Sequence, residues 1–358
     1  MNRRQALPLW ILLIIALLLL LLHLALPQLV RNYLNDTLAD MGDYRGQVTD
    51  VDLAWWRGAY QIEGLVIEKK TGGVPVPLLD APLIDLAVSW RALWQDRAVV
   101  AEVEFVDPQL NFVDSTQPGQ EQTGQGVDWR DRLEALLPIT LNEVRIRNGR
   151  VSFRNFTSDP QVHVYADQVV GTFYNLTNST DAEGRRVAEF VGEARFLEVA
   201  PMEANARFDP FTDWEDFELQ LRVTGVPLVR LNDFSRAYGR FDFAEGSGDL
   251  VMEVEAEKSQ LSGYIKPLLR NVEVFDWEQD IEAEDKGFLR GLWEAIVGGG
   301  QTLLKNQRKD QFATRVELSG TIKERDVSPF QAFMAVLRNA FVEAFTARFE
   351  RALDEEGE

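Results

Sequence analysis

The sequence predicts a mainly β protein with added helices: one N-terminal transmembrane helix, then antiparallel sheet, then an amphipathic helix capping it from the C-terminal end. Three observations predict this class. From Leu7 to Leu26 the chain reads LPLWILLIIALLLLLLHLAL with no formal charge, apolar and polar residues alternate with period two through most of the remaining chain, and a stripe of phenylalanines recurs at helical spacing near the end.

The apolar run comes first. At 1.5 Å rise per residue, about 20 residues make a helix of about 30 Å, the thickness of a bilayer core. A cleaved signal peptide has a shorter apolar region, about 7–15 residues, ending at small residues. Here the run is longer and Pro27 follows Leu26, so a retained anchor over residues 1–27 is expected. Arg3 and Arg4 precede the span, whereas Arg31 and Arg45 beyond it are mixed with Asp36, Asp40 and Asp43. The positive-inside rule then places the N-terminus in the cytoplasm and the bulk of the chain in the periplasm, a single pass through the inner membrane. His23 lies near the outer end of the run, where a neutral imidazole reaches the interface.

Charge and cysteine usage narrow the function. The net charge is −20 over 358 residues, and −22 once the +2 of Arg3 and Arg4 is set aside. Such a surface repels phosphate backbones and argues against nucleic acid as a partner. The absence of cysteine excludes disulfides, thiolate metal sites and Cys nucleophiles.

Residues 28–41 continue as a helix leading off the membrane, and from Gly46 the pattern turns to strands. Tyr60, Ile62 and Gly64 alternate with Gln61 and Glu63; Val99, Ala101, Val103 and Phe105 alternate with Val100, Glu102 and Glu104. Such alternation is the mark of a strand with one buried and one wet face. Ser115 to Val127 (STQPGQEQTGQGV) reads as an exposed, mobile loop, and Asp128 to Leu137 as a short amphipathic helix stopped by Pro138. Val144 and Ile146 oppose Arg145 and Arg147, and Asn148-Gly149 reads as a hairpin turn into Val151 and Phe153. Further strands are expected over 163–176, 187–197, 203–208, 217–226 and 248–266, and around Val316, Leu318 and Ile322, joined mostly as a meander by short turns. Two helices follow the pattern of period 3.6: 284–305, with Phe288, Leu289, Leu292, Trp293, Ile296 and Val297, and a last helix opened by Ser328 as N-cap and Pro329 at its first position. The last helix places Phe330, Phe333, Met334, Leu337, Phe341, Phe345 and Phe349 on one stripe. That stripe suits packing on an open sheet face, and Phe330, Phe333, Leu337, Phe341, Phe345 and Phe349 are the candidates for contact with lipid or a partner protein. The organisation expected is an anchor (1–27), an N-terminal helix and β subdomain (28–114), a flexible loop (115–127), a central β domain (128–275), and an acidic segment with two helices and an intervening strand (276–358).

Catalytic signatures are sparse. Of the two histidines, His23 lies in the anchor and His163 alternates within a strand, where it reads as an ordinary strand residue. No Gly-x-Ser-x-Gly elbow and no Gly-Lys-Ser/Thr phosphate loop occurs, and the histidine and cysteine count gives zinc at most one ligand. The acidic run Asp276, Glu278, Asp280, Glu282, Glu284 and Asp285 lacks the glycine of a calcium loop and suits a solvated helix start. Asn155, Asn175 and Asn178 open Asn-x-Thr triplets, meaningful only in a glycosylating cell. The sequence is therefore read as that of a non-enzyme, with no cofactor or metal implied.

Phrases spread along the chain carry a resemblance: the single anchor; Asp80-Ala81-Pro82-Leu83-Ile84-Asp85-Leu86 leading into Val88-Ser89-Trp90; Phe105-Val106-Asp107-Pro108-Gln109-Leu110-Asn111-Phe112; Arg147-Asn148-Gly149-Arg150-Val151-Ser152-Phe153; Gly246-Ser247-Gly248-Asp249-Leu250; and Leu261-Ser262-Gly263-Tyr264-Ile265-Lys266-Pro267. Each reads as strand-turn-strand, and in this order they resemble the AsmA-like family of Gram-negative envelope proteins, in the branch with a domain of unknown function. The resemblance implies long β-sheets curled into a groove with an apolar concave face, and a role in phospholipid movement or outer-membrane integrity. It transfers no catalytic residues. Members that bridge the envelope are far longer; about 15 strands at ~4.8 Å spacing stack to about 70 Å, so a single-chain bridge is not expected. The function expected is lipid binding or lipid handling in envelope maintenance. The alternative is a structural or assembly factor that binds other envelope proteins, and a third reading, a polysaccharide-acting enzyme, needs paired carboxylates about 5–10 Å apart across a pocket.

Overall fold

The computed structural model describes residues 3–54, 59–88, 100–115, 117, 119–124, 140–176, 188–208, 216–239, 242–257, 260–275, 311–313 and 315–321. The helices expected over 128–137 and 284–305, the acidic run and the Phe-rich last helix lie outside them.

Helix α1 (Arg3–Leu38) contains the whole apolar run and continues beyond it. Described side chains along the apolar run, among them Leu12, Leu13, Ile14, Leu17, Leu20 and Leu24, are exposed, the run being apolar on all sides of the helix. Taken over the described residues alone, no helix is long and apolar enough to cross a membrane. Its last turns behave differently: Leu34 and Leu38 are buried and share a core with Val51, Leu53, Ile62, Ile84, Leu86, Val103 and Val144. One helix thus carries an exposed apolar stretch followed by a buried end.

Among the described residues, fifteen strands form one large, curved, mixed sheet. They are β1 (Tyr44–Gln47), β2 (Asp50–Ala54), β3 (Ala59–Lys69), β4 (Leu79–Val88), β5 (Val100–Val106), β6 (Gln109–Asp114), β7 (Thr140–Asn155), β8 (Val162–Leu176), β9 (Ala188–Phe196), β10 (Ala200–Phe208), β11 (Phe217–Pro227), β12 (Asp242–Glu257), β13 (Gln260–Phe275), β14 (Gln311–Ala313) and β15 (Val316–Thr321). From β7 to β13 each strand pairs antiparallel with its successor, the expected meander. The single strand read over 248–266 is in fact the hairpin of β12 and β13, register-matched through Glu257↔Gln260.

Two expectations fail at one place. The sheet is not wholly antiparallel, because β5 and β6 both run parallel to β7. Nor is Asn148-Gly149 a hairpin turn: β7 passes straight through it. Asn148 holds φ 56 and shifts the register between Ile146 and Gly149, which is a bulge. Asp107, with φ 53, makes the matching kink between β5 and β6, and its amide donates to Arg147 O at 2.9 Å. Asn148 Nδ2 then donates to Asp107 Oδ1 at 2.6 Å, so the two kinks are bonded side by side. Gln168 repeats the kink on β8, and Gly225, Gly246 and Asn271 mark a second set on β11, β12 and β13. Bulges in register bend adjacent strands together, and two of the phrases carrying the family resemblance cross these bends rather than turns.

The segment expected to be an exposed loop is also different where it is described. Gln122 is completely buried, bridges to Val113 on the free edge of β6, and donates through Nε2 to Asn111 O at 3.0 Å. Lys69 Nζ donates to Glu121 O at 2.6 Å, and Gly124 N to the Tyr44 hydroxyl at 3.1 Å. A polar composition reads as solvated, yet here its groups satisfy an otherwise unpaired strand edge.

Between β11 and β12 runs a short helical segment, residues 228–239, designated α2. It crosses the ends of the neighbouring strands. Arg230 donates to Leu197 O in the β9–β10 turn at 2.9 Å, and Phe234 and Tyr238 pack on Phe153 of β7, with ring centroids 6.4 and 6.3 Å away. The Tyr238 hydroxyl donates to Asp114 Oδ2 at 2.6 Å and accepts from Asn155 Nδ2 at 3.0 Å. Asn155 Oδ1 meanwhile accepts from the Thr157 and Ser158 amides, so one of the Asn-x-Thr triplets is a buried turn.

Candidate functional site

Residues directly opposite each other on paired strands point to the same face, so the register defines what each face presents. One unbroken line of partners runs Leu53, Tyr60, Leu86, Val103, Val144, Phe173, Phe190, Ala206, Leu219, Val254, Gly263, Leu318, from β2 to β15. A second, two residues along each strand, runs Val51, Ile62, Ile84, Phe105, Ile146, Gly171, Gly192, Ala204, Leu221, Met252, Ile265, Val316. Neither contains a charged residue. The line between them, on the opposite face, runs Asp52, Gln61, Asp85, Glu104, Arg145, Thr172, Val191, Asn205, Gln220, Glu253, Tyr264, Glu317, and is polar at every step but Val191. The apolar face therefore continues across twelve strands, about 50 Å at the usual spacing.

Cover over this face is uneven. At the β2–β7 end the last turns of α1 lie on it, and Leu86 is 2% exposed. There burial pushes the Tyr60 hydroxyl up to about 12, so it stays neutral. At the far end Met252, Val254, Ile265 and Leu318 form a second buried cluster. Between them, on β8 to β11, Phe173, Phe190, Ala204, Ala206, Leu219 and Leu221 are all half-buried. The floor there is thin. Phe190 lies flat over the cross-strand pair Gly171 and Gly192, so close that a Cβ on either would come within 2.7 and 2.6 Å of its ring, and Phe173 packs beside it with centroids 4.5 Å apart. Small residues and a ring laid down on the sheet make a shallow apolar trough. Segment α2 stands at one end of its strands.

A cluster of acids lies on the other face. Asp52, Asp85, Glu102 and Glu104, with Gln61 and Arg145, line a shallow cleft of about 340 Å³. Arg145 spans Glu102 and Glu143, and Arg147 pairs with Glu104 at 3.1 Å. Cross-strand ion pairing accounts for Glu102 and Glu104, Asp85 accepts from Gln61 Nε2, and among the described residues no group of three or more His, Asp or Glu is placed to hold a metal ion.

All six candidates named from the sequence (Phe330, Phe333, Leu337, Phe341, Phe345 and Phe349) lie outside the described residues. The trough residues are missing from that set although their alternation was visible, because alternation reveals that a strand has an apolar side and not that twelve such sides join. His163 sits in β8 opposite Arg154. Burial, then the charges of Arg154 and Arg150, holds its pKa below the ordinary value. No protein-family model matches the chain, and no curated protein matches it.

Proposed function

We propose that this protein is a membrane-tethered β-trough that binds lipid acyl chains and takes part in lipid handling in the cell envelope. The observation that carries the reading is the pair of apolar lines across twelve strands with a polar line on the reverse face. Water-exposed apolar surface is unfavourable by roughly 25 cal/mol per Å², and an acyl chain laid along β8 to β11 would cover surface that the described protein leaves half open. A role as anchor for α1 in the inner membrane, with the sheet in the periplasm, follows from its apolar run, its exposed leucines and the arginines before it. The likeness of the strand phrases to AsmA-like proteins supports the same role. Carriage, not chemistry, is the activity assigned.

Photocrosslinking in the full-length protein in cells tests it. A benzophenone side chain at Ala204 or Leu221 is expected to give adducts of phospholipid mass, and at Asn205 or Gln220, on the reverse face, none. Equal labelling from both faces, or only protein adducts from Leu221, would reject lipid binding, the latter in favour of an assembly factor.

A further inference from the structure

The bulges that bend β7 and β8 also turn a set of basic side chains outward. Beyond Asn148, Phe153 and Asn155 face α2, and Arg150, Ser152 and Arg154 face away from it. Beyond Gln168, His163 and Tyr165 stand opposite Arg154 and Ser152. The His163 imidazole Nε2 lies 3.5 Å from Ser152 Oγ, and its ring centroid 4.7 Å from that of Tyr165. Ser152 is 1% exposed, whereas His163 is open to solvent.

Several described arginines rest on carboxylates, Arg45 on Glu68, Arg147 on Glu104, Arg236 on Asp242 and Arg270 on Asp249, while Arg195 and Arg230 donate to backbone carbonyls and Arg31 Nε, on the helix, is unbonded. Around Arg154 the acids are taken. Asp167 Oδ2 lies 3.8 Å from Arg150, its Oδ1 is buried without a hydrogen-bond partner, and Glu198 accepts the Tyr165 hydroxyl at 2.9 Å. Arg154 Nε is buried without a hydrogen-bond partner. A guanidinium does not shed its proton in proteins, and a buried charged donor left unbonded is its costly state. Burial and then Arg150 lower the Arg154 pKa; burial, Arg154 and Arg150 lower that of His163; no carboxylate is among these causes.

We propose that Arg154, His163, Arg150 and the Ser152 hydroxyl form a binding site for a phosphoryl oxyanion on the face of the sheet opposite the trough. Arg154 and His163 are cross-strand partners and the Ser152 hydroxyl lies 3.5 Å from the imidazole, so a guanidinium, an imidazole and a hydroxyl share one patch of this face; a phosphate monoester supplies a charge of about −1.5 to −2 against Arg154 and an Arg150 shared with Asp167. The oxyanion bonds Arg154 Nε and offsets the repulsion among the three basic groups. The same chemistry is offered by free phosphate and by a phospholipid headgroup, and the site does not depend on what occupies the trough.

The chain has two histidines, so the His163 imidazole proton signal can be assigned in the full-length protein in non-ionic micelles by its loss in His163→Gln. Inorganic phosphate, exchanged for KCl at constant ionic strength, is expected to raise the titration midpoint of His163 by about 1 pH unit. Arg154→Gln is expected to weaken phosphate about tenfold and abolish that rise, and Arg154→Lys to restore part of it. In parallel, micelles doped with phosphatidic acid are compared with micelles doped with phosphatidylcholine. A response to inorganic phosphate identifies a site for free phosphoryl groups, and a response to phosphatidic acid alone identifies a headgroup site. No response beyond that to KCl, or a response undiminished in both Arg154 variants, overturns the proposal.

Discussion

Asn148 carries two separable jobs in the middle of β7. Its left-handed backbone, φ 56, permits the bulge, and its side chain bonds Asp107 across to the neighbouring kink. A β-branched residue tolerates that conformation poorly, at about 1–2 kcal/mol, and also forfeits the bond, at about 1 kcal/mol. Asn148→Val is therefore expected to lower stability by about 2–3 kcal/mol in a denaturant titration and Asn148→Gly by about 1 kcal/mol; equal losses would show that the bond alone matters. Tyr238 presents a cleaner deletion. Tyr238→Phe keeps the ring contacts to Phe153 and Phe234 but strips a hydroxyl from Asp114 and Asn155, for an expected loss of about 1–3 kcal/mol. Both positions show where reading by residue type stops. Asn-Gly is the strongest short hairpin signal, yet the same φ > 0 tolerance serves a bulge equally well, and only the partner strand, with Asp107 beside it, selects between them. The basic cluster around Arg154 was illegible for the same reason: which of Arg150, Val151, Ser152 and Phe153 shares a face with which neighbour depends on a register shift that sequence spacing does not carry.

Elements divide the labour that residues suggest. The existence of helix α1 was legible, both its apolar run and its continuation past Pro27, because its period and composition are local properties, although it ends at Leu38 and not at Met41. Its second role was not, since nothing local says that Leu34 and Leu38 meet Ile67 and Leu86. Leu34→Ala or Leu38→Ala is expected to cost about 2–5 kcal/mol by emptying part of that core, whereas Leu24→Ala, exposed, leaves the unfolding transition of the sheet in place. Deleting 1–26 should likewise spare the fold and deleting 1–45, which also removes Met41 and Tyr44, should not; circular dichroism on the two truncations distinguishes them. The strand alternations were legible too, but the parallel pairing of β5 and β6 with β7 was not, because it is fixed by where the chain re-enters the sheet at Thr140 and not by any strand's own pattern. The second set of bulges has its own pin. Asp249 on β12 accepts from the Gly225 amide of β11 at 2.8 Å and from Arg270 Nη1 of β13 at 3.1 Å. Desolvation alone would raise its pKa, but these donors outweigh it and the net direction is down from 3.8. A carboxyl depressed on folding contributes stability in full above its unfolded value and loses it as pH falls through the folded one. The midpoint of urea unfolding should therefore fall below about pH 4 in the native sequence, and that part of the fall should vanish in Asp249→Asn, which is less stable at neutral pH.

At the scale of the whole molecule, one sheet with one apolar side has to be long rather than closed for the lipid reading to hold. A sandwich would turn the two apolar lines inward on a second sheet; here the described cover is α1 at one end and α2 across the strand tips, and β8 to β11 keep their apolar residues half-buried. Transfer of each acyl methylene from water contributes about 0.8 kcal/mol, so occupancy depends on an unbroken dry path more than on any single contact. A charge placed in that path must keep its water, and the methylenes on either side of it then stay wet. Ala204→Arg, central in the line that joins Gly192 to Leu221, is therefore expected to remove most phospholipid adducts from a crosslinker at Leu219. Asn205→Arg sits one residue along the same strand but on the wet face, and is expected to leave them unchanged. Stability of both variants is followed by thermal unfolding, since loss of the sheet itself would also abolish labelling. If Ala204→Arg folds and still labels as the native chain does, acyl chains do not lie along the face that the strand register builds.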